Sequence, residues 1–110
     1  MTESICKTDE YGNKYWWLNG MLHREDGPAI EYTDGAVSWY LNGQCYLRIN
    51  KSGTKYWLLN EKLHREDGPA IERDGFIEWY LNDKFIAIGG RPKNWDELVL
   101  LAQVELVMES

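Results

Sequence analysis

A histidine, an arginine and two carboxylates stand side by side twice in this chain. Leu22-His23-Arg24-Glu25-Asp26-Gly27-Pro28-Ala29-Ile30-Glu31 returns unchanged as Leu63-His64-Arg65-Glu66-Asp67-Gly68-Pro69-Ala70-Ile71-Glu72, offset by 41 residues. These side chains hold the donors and acceptors for proton transfer or anion binding. His23, Arg24, Glu25 and Asp26, with their copies His64, Arg65, Glu66 and Asp67, are therefore the candidate binding residues. Arginine offers a planar fork that matches a carboxylate or a phosphate, and a Trp or Tyr beside it can stack on a base. That chemistry describes two related pockets for a phosphorylated or nucleotide ligand.

The strings also have a plainer, architectural reading. Asp26 and Asp67 close a local turn, Arg24 and Arg65 pair with nearby acids or aromatic faces, and His23 and His64 pack as polar residues. Catalytic readings find less support. His23 and Glu25 form a His-x-Glu, but the Pro-Cys-x-x-Cys partner of the zinc deaminases is missing. Two histidines and two cysteines, Cys6 and Cys45, match no zinc spacing. Phosphate-loop, dinucleotide and Gly-x-Ser-x-Gly fingerprints are absent too. The expectation is a protein without catalytic residues, metal or cofactor.

The strings must be positioned by something, and a smaller unit recurs around them. Lys14-Tyr15-Trp16-Trp17-Leu18-Asn19-Gly20 is echoed at 37–43, 55–61 and 77–83, with Leu-Asn pairs starting at 18, 41, 59 and 81. Each unit reads as an aromatic strand, a tight turn and a second strand. Asn19-Gly20 and Asn42-Gly43 are strong hairpin signals, because both central residues of such a turn take positive φ; Asn60-Glu61 and Asn82-Asp83 stand at equivalent places. Asp34-Gly35, Ser52-Gly53 and Asp74-Gly75 supply the return turns. The expected fold is mainly β, an antiparallel meander of about eight or nine short strands. Residues 21–33 are about twice as long as the strand they face, so a bulge or extra turn is required, and Asp26-Gly27-Pro28 is its place.

Alternation assigns the faces. Trp16/Leu18, Trp39/Leu41, Trp57/Leu59 and Trp79/Leu81 share one face, expected to be the core. Tyr15, Tyr40, Tyr56 and Tyr80 lie on the other, and Tyr40 and Tyr80 join the candidate contact residues because tyrosine combines contact area with a polar tip. The chain then divides, within a single domain, into a lead-in strand (1–13), the repeat sheet (14–88), a linker (89–94) and a C-terminal helix (95–109). Gly89-Gly90 and Pro92 stop the strand pattern, Asn94 suits an N-cap, and Asp96 and Glu97 favour the helix N-terminus. Apolar residues cover most of this helix's circumference, which predicts burial on more than one side. Leu100, Leu101, Val104, Val107 and Met108 are the candidate oligomer interface, and the helix is expected to form a homodimer.

Bulk composition narrows the partners. A net charge of −6 argues against a basic footprint for nucleic acid. The longest apolar run, Leu98 to Ala102, is too short for a bilayer, so no membrane partner is expected. Met1-Thr2-Glu3-Ser4 has no basic or apolar leader character, and two unpaired cysteines suit a reducing cytoplasm.

The His-Arg-Glu-Asp-Gly-Pro-Ala strings alternating with Trp-Tyr-Leu-Asn-Gly hairpins resemble the MORN-like repeat proteins of tailed bacteriophages. They are more distantly similar to bacterial MORN-variant proteins described as antitoxin components. The resemblance spans about residues 11–86 and implies a repetitive antiparallel sheet with no established reaction. With the acidic balance, the aromatic outer face, the over-apolar helix and the absence of catalytic motifs, the expectation is a phage-encoded, non-enzymatic module that binds a host protein serving in defence or toxin control. A nucleotide-sequestering protein and a self-assembling structural protein are the alternatives.

Overall fold

The computed structural model describes residues 3–109, without the side chain of Glu109; the first two residues of the expected lead-in lie outside the described residues. Eleven strands form one antiparallel sheet: β1 (Ile5–Thr8), β2 (Lys14–Leu18), β3 (Met21–Leu22), β4 (Ile30–Glu31), β5 (Val37–Leu41), β6 (Gln44–Ile49), β7 (Lys55–Leu59), β8 (Lys62–Leu63), β9 (Ile71–Arg73), β10 (Phe76–Leu81) and β11 (Lys84–Ile88). One helix, α1 (Trp95–Glu109), follows. Nine strands lie along a continuous meander, while β3 and β8 pair only with β2 and β7. The two extra strands are the near halves of return strands that the repeated strings split.

All four Leu-Asn turns adopt the same conformation. Asn19 and Gly20 have φ of 51° and 77°, and Asn42 and Gly43 have 50° and 81°. Asn60-Glu61 (52°, 66°) and Asn82-Asp83 (50°, 66°) follow them, so glutamate and aspartate are held where glycine is favoured. Asp83 gains a compensating contact, its carboxylate accepting the Leu63 N–H at 2.6 Å.

The split is visible in the backbone. Trp16 donates its N–H to Ala29 (2.8 Å), and its carbonyl accepts from His23 (3.0 Å). Trp57 does the same with Ala70 (2.8 Å) and His64 (3.1 Å). Five residues, 24–28 or 65–69, thus leave the ladder between two consecutive bonds to one tryptophan. The excess length of 21–33 is absorbed there.

Register sorts the faces. Pairs Ile30↔Ser38, Ser38↔Arg48, Arg48↔Tyr56, Tyr56↔Ile71 and Ile71↔Glu78 run across one face, with Tyr40 and Tyr80 two residues along from Ser38 and Glu78. The opposite face carries Trp39↔Leu47 and Leu47↔Trp57. Helix α1 lies on this second face, where Trp79, Leu81, Trp95 and Ala102 form the buried cluster and Leu98 and Val99 pack beside it. The Trp95 ring meets Trp79 edge-on at 4.8 Å.

The Trp/Leu face is therefore most deeply buried over the second repeat, although Leu47 is also buried between Trp39 and Trp57. Leu81 is 4% exposed, whereas its counterpart Leu41 is 41% exposed. The reason is where α1 sits: its buried side chains pack on Trp79 and Leu81 of β10, with Ile86 and Ala87 of β11 beside them.

Two outcomes follow. Glu61→Gly removes a left-handed non-glycine residue from an exposed turn, and should stabilise the fold by about 1 kcal/mol, seen as a rise of several degrees in melting temperature. The second concerns acid. The hydrogen bond from Asn82, then that from Lys84, holds the Glu105 carboxyl below the usual glutamate range against the opposing effect of burial. A group lowered in the folded state contributes fully above its unfolded pKa, and that contribution is lost as pH falls through its folded pKa. Acidification below the usual glutamate range should loosen α1, read as a change in Trp95 emission, and Glu105→Gln should remove that step.

Candidate functional site

The repeated strings position their side chains by the loop-out just described. Arg24 turns back over Trp16, with the guanidinium carbon 3.9 Å from the ring centroid. Its Nε donates to Asp26 at 3.1 Å, and its Nη1 donates to the Pro28 carbonyl at 3.1 Å and to Glu31 at 2.9 Å. Arg65 repeats the arrangement over Trp57 at 4.2 Å, with Asp67 at 3.0 Å, the Pro69 carbonyl at 3.2 Å and Glu72 at 3.2 Å. Glu72 also accepts from the Trp57 indole at 3.0 Å.

Glycine completes the stack. A Cβ on Gly27 would lie 2.8 Å from the Arg24 guanidinium carbon and 3.0–3.1 Å from two of its nitrogens. Near-equal distances to carbon and nitrogens place Gly27 over the flat of the cation, so the guanidinium lies between indole and backbone. Gly68 stands identically, 2.8 Å from Arg65. The glycine of Asp-Gly-Pro thus serves close approach rather than positive φ.

The histidines brace the neighbouring hairpin. His23 Nδ1 accepts the Asn42 N–H at 2.9 Å, and His64 Nδ1 accepts the Asn82 N–H at 3.0 Å. An imidazole accepting at Nδ1 carries its proton on Nε2. That nitrogen faces Glu25 at 3.5 Å in the first repeat and Glu66 at 3.0 Å in the second. Both rings are buried.

The structure thus brings together His23, Arg24, Glu25 and Asp26, and separately His64, Arg65, Glu66 and Asp67, with their polar atoms turned largely onto one another. An anion approaching Arg24 or Arg65 meets two carboxylates and a carbonyl already in place. Beside the first string, Glu3, Ser4 and Trp16 help to line a cleft of about 360 Å³, and the Ser4 hydroxyl donates to the His23 carbonyl. Among the described residues no three His, Cys, Asp or Glu side chains converge as a metal site. Cys6 and Cys45 are free thiols.

Tyr40 and Tyr80 lie elsewhere, on the opposite face. Tyr40 borders an open groove of about 600 Å³ that adjoins another of about 650 Å³ bordered by Ser38 and Tyr56. Arg48 and Leu58 line both. Tyr80 stands farther along, edge-on to Phe85 at 5.6 Å, and burial and then the Glu78 carboxylate push its hydroxyl above the usual tyrosine range. Arg48 has no copy in the repeated strings, and sequence reasoning missed it; its period-2 placement opposite Ser38 and Tyr56 was the available signal. On α1, Leu100, Leu101, Val104, Val107 and Met108 are all exposed.

Gly27→Ala and Gly68→Ala should each destabilise the protein by about 1–3 kcal/mol, because the added methyl must displace a cation pinned from its other side. Arg24→Lys should also cost stability by losing the planar stack and the paired donors, in thermal or urea denaturation.

No helix among the described residues is long and apolar enough to cross a membrane. Comparison with protein-family models, curated proteins and solved structures finds no match for this chain.

Proposed function

We propose that this chain is a non-enzymatic β-repeat module that binds a protein partner through its tyrosine face. In the phage setting that the repeat resemblance implies, the partner is a host protein met in the bacterial cytoplasm. The observation that carries this reading is the pair of adjoining grooves around Arg48, flanked by Tyr40 and Tyr56, on a face that α1 leaves uncovered. Tyrosine and arginine are the side chains that dominate protein interfaces, since both combine a flat apolar body with directed polar atoms. The repeated strings support it from the other side, by holding β2, β5, β7 and β10 in register beneath that face.

The test is capture from host lysate by the tagged full chain, beside Tyr40→Ala/Arg48→Glu and Arg24→Lys variants. One protein held stoichiometrically by the wild type and by Arg24→Lys, and lost with the double variant, is expected. Equal capture by all three, or release of a nucleotide that depends on Arg24, would overturn the assignment to this face.

A further inference from the structure

The two repeats share a sequence and a backbone but not an environment. Over the second repeat, α1 is seated by named contacts. The Trp95 indole donates to the Glu66 carbonyl at 2.7 Å, Asn82 donates to the Ala102 carbonyl at 3.1 Å, and Gln103 donates to the Glu66 carboxylate at 2.9 Å. The first repeat presents much of the same receiving surface: Glu25 for Glu66, Trp39 for Trp79, Leu41 for Leu81 and Asn42 for Asn82, with Tyr46 and Leu47 where α1 meets Ile86 and Ala87. His23 holds Asn42 as His64 holds Asn82. Yet the contacts that seat α1 fall on the second repeat. The Glu25 side chain is 72% exposed against 35% for Glu66, and Asn42 is exposed where Asn82 is buried. The Trp39 indole N–H is buried with no acceptor among the described residues, whereas that of Trp79 donates to the Gly89 carbonyl.

Helix α1 has a matching surplus. At about 100° per residue, Leu100, Leu101, Val104, Val107 and Met108 fall within an arc of about 120°. That arc is centred opposite Trp95, Leu98 and Ala102, and Met108 at its end is 81% exposed. The helix is therefore apolar on the side that its own sheet occupies and on its exposed side.

We propose that two copies associate face to face about a two-fold axis, each α1 lying between its own second repeat and the first repeat of its partner. The occupant is a second copy because both unpartnered surfaces, the α1 stripe and the Met21/Trp39/Leu41 surface, belong to one molecule and lie side by side on one sheet face. The helix raises the second-repeat end of that face by one helix diameter, about 10 Å, and a two-fold rotation places the raised end of each copy over the low end of the other. A single association thus covers both surfaces in both copies, and a lone foreign helix on the first repeat would leave the α1 stripe in water. The seat of α1 on the second repeat shows that this combination of Trp, Leu and Asn receives a helix.

The experiment is sedimentation equilibrium of the full chain over a wide concentration range. Point variants are used because Trp95 and Ala102 belong to the core, and folding is confirmed by circular dichroism. The wild type is expected at twice the 12.9 kDa chain mass. Val104→Glu in the stripe and Leu41→Glu in the receiving surface should each raise the dissociation constant about 30-fold or more. Mixing the two variants should restore part of the association, since one of the two contacts in the mixed pair is then fully wild type. A wild type that stays monomeric throughout, or dimers that survive Leu41→Glu, would overturn the proposal; the second result would indicate helix-on-helix pairing.

Discussion

The structure depends on one stacked cation per repeat. Arg24 and Arg65 each lie between an indole and a glycine backbone, with two carboxylates and a carbonyl around the rim. Five residues taken out of a sheet ladder give up backbone bonds and would ordinarily form a loose loop. Here the excursion is closed by a side chain that satisfies the loop's own carbonyl and returns the strand to register on the same tryptophan. Without that closure β3 and β4 would have no reason to remain halves of one strand. The histidine one residue earlier extends the brace sideways, fixing the next hairpin turn through a backbone N–H. The string is thus a joint between a strand, its excursion and the neighbouring hairpin.

Much of this was legible in the residues. The repeat, the antiparallel meander, the two faces and the helix over 95–109 follow from period-2 alternation, Asn-Gly chemistry and the break at Gly89-Gly90. The excess length of 21–33 placed the excursion at Asp-Gly-Pro. The split strands and the role of Gly27 were not legible, because both arise from a long-range return of one side chain onto a ring eight residues earlier. Nor could the sequence show that Leu41 and Leu81, alike in every local respect, differ in burial. That difference is set by where α1 docks, on β10 and β11 of the second repeat.

The repeats also show where length is tolerated. The strings are 41 residues apart, but Trp39 and Trp79 are 40 apart. The missing residue lies in the return turn: Arg73 pairs directly with Phe76, whereas Tyr32 and Ala36 close a longer connection. A deletion inside a strand would have exchanged the faces of everything after it. Placed in a turn, it leaves Tyr80 and Tyr40 on the same side.

The one-sided coverage by α1 has a dynamic consequence. In a linear array each unit is held mainly by its neighbours, so local opening free energies follow local packing. The helix-covered end is the well-anchored one, and the end holding β1 to β5 is the first to open. Hydrogen exchange would then run as a gradient along the meander rather than as one cooperative event. Any association that covers the weak half selectively stabilises the folded form, so unfolding becomes linked to protein concentration by mass action.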